Sequence, residues 1–199
     1  MKDSFLTIKE KTVSEVKIQK SRFIAHSFPV DSLTGIQEIL KSVKKDFYDA
    51  SHHPYAYRLG TDENNFRYSD DGEPGGSSGI PILEIIDKFR LTNVLIAVSR
   101  YFGGIKLGVG GLRRAMSEAA ELCLNKAEIT EELITENVTA EFDYRFMNVI
   151  MNLIGTEKIK LLQNNSGGKC KLTLQIRLSK TEKIKSEIFQ LTNGSAIIF

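Results

Sequence analysis

The chain has 199 residues, room for one large domain or two small ones, each with a buried core. With 41% hydrophobic and 26% charged residues it has the composition of an ordinary globular protein, which excludes a fibrous or low-complexity chain. Net charge is +2, with 18 Lys and Arg against 17 acidic residues in 1–129 and 9 against 8 in 130–199, so bulk electrostatics give no case for nucleic acid. Any anion site must be built locally.

The start, MKDSFLTIKE, lacks the apolar core of a secretory signal. Apolar runs such as Val94 to Val98 are too short to span a bilayer. Cys123 and Cys170 belong to no CxxC or Cys/His cluster, so the expectation is a cytoplasmic protein with reduced thiols, away from membranes.

Along the chain, the alternation around Val16 and Ile18 predicts a strand, and Phe23, Ala25 and the residues up to Val30 a second. Ile36, Ile39, Leu40, Val43 and Phe47 fall at helical spacing; Thr34 to Gln37 fits a capping box, while Asp31 or Ser32 would cap one turn earlier. Tyr55 to Leu59 and Phe66 to Tyr68 read as strands joined by TDENN. After SDDGEPGGSSG, Pro81 sits where a helix begins, with Ile82, Ile85, Ile86 and Phe89 as its stripe. Asn93 to Ser99, with the apolar run VLIAV inside it, reads as a buried strand, and beyond the glycine stretch a helix turns Leu112, Ala115, Met116, Ala119, Leu122 and Cys123 inward. The charged KAEITEEL separates a second unit with strand Ile134 to Phe142, helix Met147, Ile150, Met151 and Ile154, and strands Ile159 to Leu162 and Cys170 to Leu178 around NNSGG. A helix with Ile184, Ile188 and Leu191 and a closing strand, Ala196 to Phe199, complete it. The expected fold class is α+β, with domains 1–129 and 130–199, the second in the β-α-β-β-α-β order of a ferredoxin-like, split βαβ unit.

Chemistry concentrates in RYFGGIKLGVGGLRRA, Arg100 to Ala115. Gly103 to Gly108 has the glycine spacing of a P-loop, but Val109 and Gly110 stand where Lys and Ser or Thr belong; Gly108-Val-Gly110 begins a dinucleotide fingerprint that ends on Arg113. Neither motif is present. A strand leading through glycines into a helix still presents backbone N–H groups that attract anions. Arg113 and Arg114 fall in the expected first helical turn, where the dipole disfavours cations, so each needs a partner. Two readings stay open: an anion held with help from Arg100 and Lys106, or a structural turn whose arginines pair with Asp70, Asp71 and Glu73. Those three carboxylates suit Mg²⁺, but an Asp- and Gly-rich turn is the commoner explanation. His52 and His53 are adjacent and diverge on a strand, so no metal ligand set is expected. Gly75-Gly-Ser-Ser-Gly79 matches a hydrolase elbow formally, outside the strand-elbow-helix context it requires.

KSRFIAHSFPV, DASHHPYAYRLG, SDDGEPGGSSGIPIL and SRYFGGIKLGVGGLRRA together resemble the four blocks of the IMPACT family in its bacterial YigZ-like form, across roughly residues 15–125. The resemblance implies a first domain folded like the second domain of a small-subunit ribosomal protein and a last domain similar to that of elongation factor G. It implies a regulator linked to translation, with no established catalytic activity and no cofactor, whose partner is RNA, a ribosome-associated factor or another protein; the alternative left open by the acidic and glycine loops is a Mg²⁺-dependent enzyme acting on a phosphate-bearing small molecule. By motif it marks Arg22, His53, Tyr57 and Arg58; the acidic loop Asp70, Asp71 and Glu73; and, as the anion- or nucleic-acid-binding set, Arg100, Tyr101, Gly103, Gly104, Lys106, Gly108, Gly110, Gly111 and Arg114, to which the loop's chemistry adds Arg113. Met116 stands where the family often has tyrosine, and Pro54 follows the paired histidines.

Overall fold

The computed structural model describes residues 3–167 and 169–199 and shows a mixed α+β fold in two compact units, one running from Phe5 to Glu132 and the other from Leu133 to Phe199 together with Asp3 and Ser4. Two elements were not anticipated. Ser4–Ile8 forms β1, and Ile129–Leu133, inside the charged stretch read as a linker, forms β7, which pairs with β1. Neither has a hydrophobic alternation strong enough to announce a strand; each exists because the other supplies its ladder.

In the first unit, β2 (Thr12–Ile18), β3 (Ser21–Pro29), β4 (Tyr55–Arg58), β5 (Phe66–Ser69) and β6 (Val94–Tyr101) make an antiparallel sheet in the order β2-β3-β6-β4-β5. The central β6 is buried on both faces, which is why its sequence is a continuous apolar run rather than an alternation. Val94, Ile96 and Val98 join the core beneath α2 (Gly79–Lys88) and α3 (Gly108–Lys126). Leu95 joins a smaller core with Ile36 of α1 (Leu33–Asp46), Val30 and Tyr57 on the opposite side. Ser32 caps α1, its Oγ accepting from the Gly35 amide. Pro81 is the third residue of α2, among the helical positions whose N–H has no intrahelical partner.

Helix α3 begins at Gly108, a turn earlier than the sequence suggested. Gly110 and Gly111 are helical despite poor propensity, because burial of Leu112, Ala115, Met116, Ala119 and Ala120 holds the helix in place. Arg113 and Arg114 therefore lie in its second turn. Leu122, expected inward, is 38% exposed, and Leu124 is buried instead.

The second unit runs β8 (Thr135–Phe142), α4 (Met147–Thr156), β9 (Lys160–Ser166), β10 (Cys170–Arg177), α5 (Thr181–Leu191) and β11 (Ile197–Ile198), with sheet order β11-β8-β10-β9. Val138, Ala140 and Phe142 of β8 and Leu172, Leu174 and Ile176 of β10 face Ile150, Ile154, Ile184 and Ile188 in its core. Met151 and Leu191 are exposed. The expected NNSGG turn includes Gly168, which lies outside the described residues.

Candidate nucleic-acid interface

The end of β6 delivers Ser99, Arg100 and Tyr101, the glycine loop follows, and α3 departs from it. The acidic loop lies between β5 and α2. These two segments are joined chiefly by protein contacts. Arg100 is not on the surface: one Nη donates to both Glu73 carboxylate oxygens at 2.6 and 2.7 Å, with side chains 8% and 3% exposed. Its guanidinium lies between the rings of Phe23 and Phe102, at 5.5 and 5.6 Å, and its buried Nε has no partner. Arg113 donates to the Gly76 carbonyl at 2.5 Å and to Glu84 at 3.0 and 3.2 Å.

The remaining acidic residues are engaged as well. Asp70 accepts from the amides of Gly76, Ser78 and Gly79 at 2.8 to 2.9 Å, capping α2, whose own Ser78 makes no side-chain cap bond. Burial pulls its carboxyl upward, but these amides and the nearby Arg113 charge outweigh that and hold it below its ordinary value. Asp71 is opposed by burial in the same way and held low by Lys44, 2.7 Å away, and by the His53 amide at 2.8 Å. All three carboxylates are committed to protein donors, and no cluster of His, Cys, Asp and Glu among the described residues could hold a metal ion.

The motif histidine and Tyr57 are likewise built in. His53 Nδ1 lies 3.1 Å from Ser99 Oγ, and burial pushes its pKa down. Tyr57 is buried, and Arg58 pairs with Asp87 while donating to the Glu63 carbonyl. Ser77 and Ser78 are fully buried, with Ser77 Oγ donating to the Pro74 carbonyl at 2.5 Å. Cys123 is buried on α3, and burial raises its thiol pKa.

What remains outward is an edge. Gly103 packs so closely on the β2–β3 turn that a Cβ there would come within 2.1 Å of the Lys20 backbone, and its N–H donates to Ser21 Oγ. Gln19 and Lys20 take left-handed φ values of 45° and 67° to form that turn. Beside it, Arg22 stacks on the Tyr101 ring at 4.2 Å, and Tyr101 donates to Asp49 at 2.8 Å. Burial and the Asp49 carboxylate push the Tyr101 hydroxyl pKa up. Gly104 and Gly108 have φ of 84° and 69° and nothing near their open sides. Lys20, Arg22, Lys106 and Arg114 are cations with no carboxylate partner among the described residues. No side chain caps the N-terminus of α3, where Gly110 and Gly111 sit, and Phe102, Ile105 and Val109 are 48%, 42% and 53% exposed. The sequence reading missed Lys20, whose place depends on Gly103 more than eighty residues later, and missed Glu84 as the partner of Arg113.

Comparison with known proteins finds relatives along the chain. The Impact N-terminal domain matches residues 19–124. The IMPACT family member YvyE of Bacillus subtilis is 33% identical over 198 residues, covering 100% of this chain and 91% of its own. YigZ of Escherichia coli, also an IMPACT family member, is 27% identical over 90% of this chain and 89% of its own. A protein IMPACT homolog of Dictyostelium discoideum is 40% identical over 49% of this chain and 29% of its own. A crystal structure of a hypothetical protein superposes with a TM-score of 0.78 and 25% identity over 100% of this chain and 98% of the other. Among the described residues no helix is long and apolar enough to cross a membrane. With the domain match spanning over half its length and the Bacillus subtilis relative aligned across both units, the chain belongs to the IMPACT family.

Proposed function

We propose that the chain is a non-enzymatic binding module linked to translation in the cytoplasm, and that it meets RNA, free or on the ribosome, through the edge formed by the β2–β3 turn, the glycine loop and the start of α3. One observation carries this reading. Arg58, Arg100 and Arg113 of the same motif are locked to carboxylates, whereas Lys20, Lys106 and Arg114 have no carboxylate partner among the described residues and Arg22 meets the Tyr101 side chain, all beside an α3 N-terminus that no side chain caps. Such an edge holds phosphates without choosing a sequence, and the half-exposed Phe102 offers a ring to an unpaired base. The second unit, likened on sequence to the last domain of elongation factor G, would supply a second contact surface of its own.

Four phosphate contacts on single-stranded RNA give a slope of log K against log salt of about −3. The test is fluorescence anisotropy with labelled polyuridylate, beside sedimentation with purified ribosomes, over a potassium chloride series. Lys106→Glu with Arg114→Glu should halve the slope to about −1.4. No salt-dependent binding to either target at micromolar protein would sink the proposal. A protein partner is the second reading, favoured by Ile105 and Val109, whose exposed apolar side chains do nothing for phosphate. Ribosome binding that survives nuclease and vanishes with Val109→Ser would assign the edge to a protein.

A further inference from the structure

The five-stranded sheet ends in two very different edges. On β2 the outer positions carry Glu15 and Lys17, and α3 closes over the strand with Ser14 donating to the Ala119 carbonyl. Charged side chains of this kind discourage edge-to-edge pairing. The opposite edge, β5, has the sequence Phe66-Arg67-Tyr68-Ser69, with only β4 beside it and its first three residues exposed.

The backbone geometry shows which groups point outward. The register Tyr57↔Arg67 and Arg58↔Phe66 continues to Leu59, whose N–H donates to the Asn65 carbonyl. Hydrogen-bonded pairs alternate in an antiparallel ladder, so Arg67 and Ser69 bond toward β4 while Phe66 and Tyr68 turn their polar groups away from it. The Phe66 N–H is taken by the Asn64 carbonyl. The Phe66 C=O and both backbone groups of Tyr68 are left at the edge. On one face of the strand, Phe66 and Tyr68 are 42% and 41% exposed, with Arg58 stacked on Phe66 at 5.1 Å. On the other, Arg67 has no carboxylate partner among the described residues.

From this we infer that β5 is a docking edge for an extended segment of a partner protein that adds a strand to the sheet, with an acidic residue opposite Arg67 and apolar residues on either side. Backbone pairing supplies the attachment and alternate side chains supply the choice. A second copy of this chain fits worse. Pairing two β5 strands antiparallel about their middle sets Arg67 against Arg67, a directly opposed like-charge pair, which is destabilising. Centring the pair on Tyr68 instead sets Arg67 against Ser69, which relieves the repulsion but gives the guanidinium no counter-charge, whereas an acidic residue on a partner strand supplies one. The surface is separate from the glycine-loop edge, so it stands or falls independently of RNA binding.

The test uses the full ¹⁵N-labelled chain and the probe peptide acetyl-Thr-Val-Glu-Val-Thr-amide. Titration should shift the amide resonances of Phe66 to Ser69 saturably, and the Lys counterpart of the peptide should bind about fivefold more weakly, the size of an opposed charge pair changed in sign. Arg67→Glu, at an exposed position that leaves the core intact, should reverse the preference. Equal affinity for both peptides, or no shift at several millimolar, overturns the inference. A dimer in light scattering whose formation protects the same amides overturns it in favour of self-pairing.

Discussion

Breaking the Arg100–Glu73 pair tests the central assignment, that the arginine at the end of β6 is a structural cation. Glu73→Gln keeps the side-chain volume and removes the counter-charge from a guanidinium that is 8% exposed. An uncompensated charge left in such a place costs about 3–5 kcal/mol. For a unit of the size Phe5–Glu132, roughly 3 °C of melting temperature follows each kcal/mol, so its transition should fall by about 10–15 °C. Arg100→Met should fall similarly. Arg100→Met combined with Glu73→Leu should recover most of the loss, because the methionine would pack between Phe23 and Phe102 and no buried charge remains. Calorimetry gives the transitions, urea unfolding followed by circular dichroism gives the free energies, and the double-mutant cycle gives the coupling. Single losses under about 1 kcal/mol that simply add would refute a buried, coupled pair. A stable Arg100→Met protein that no longer binds RNA would return Arg100 to the binding edge.

His26 is buried in β3 with neither ring nitrogen bonded and its ring 4.6 Å from that of Phe47; burial first, then Lys11 and His53, lower its pKa to about 4, against a small opposing pull from Asp46. Its unfolded form takes a proton near pH 6.5, so stability is full above that and falls as pH drops toward 4, by about 3 kcal/mol in all; urea midpoints at pH 7, 5.5 and 4 should show the decline, and His26→Phe should flatten it. Gly103→Ala drives a methyl into the Lys20 backbone and should destabilise by about 2 kcal/mol while weakening RNA binding, whereas Gly104→Ala meets no neighbour and bears only the strain of its φ of 84°, about 1 kcal/mol; equal melting temperatures for the two would contradict the close packing at Gly103. Asp70→Ala removes the cap of α2 and should lower stability by about 2 kcal/mol in thermal unfolding at pH 7, with a smaller difference from the parent below the carboxylate range, where the parent loses the charge as well.

Elements with a strong internal period were legible from sequence. The apolar run of β6 and the stripes of α1 and α2 appear where the residue spacing puts them, and the strand and helix order of the second unit matches that read from its alternation. Elements that depend on a distant partner were not. Strands β1 and β7 lie more than a hundred residues apart and have little pattern of their own, and the left-handed turn at Gln19 and Lys20 gives no hint that Gly103 must press against it. Helix α3 starts a turn before the expected position because the burial that follows holds glycines of poor propensity in its first turn.

The fate of the basic side chains, by contrast, was written in parity and phase. Strand residues two apart share a face, so Val94, Ile96 and Val98 carry Arg100 toward the core side, where only a carboxylate such as Glu73 could make its burial tolerable. On α3, at about 100° per residue, Arg114 falls opposite the stripe of Leu112, Ala115, Met116 and Ala119, and it is exposed. Arg113 falls at the flank, within reach of Glu84 on the neighbouring helix. Adjacent arginines thus differ in setting: Arg113 ties α3 to α2 and to the glycine turn before it, while Arg114 is exposed and belongs to the proposed binding edge. The same logic makes the charge reversal informative, since Arg114→Glu alters a side chain that no buried contact needs, and a loss of binding there cannot be a loss of fold.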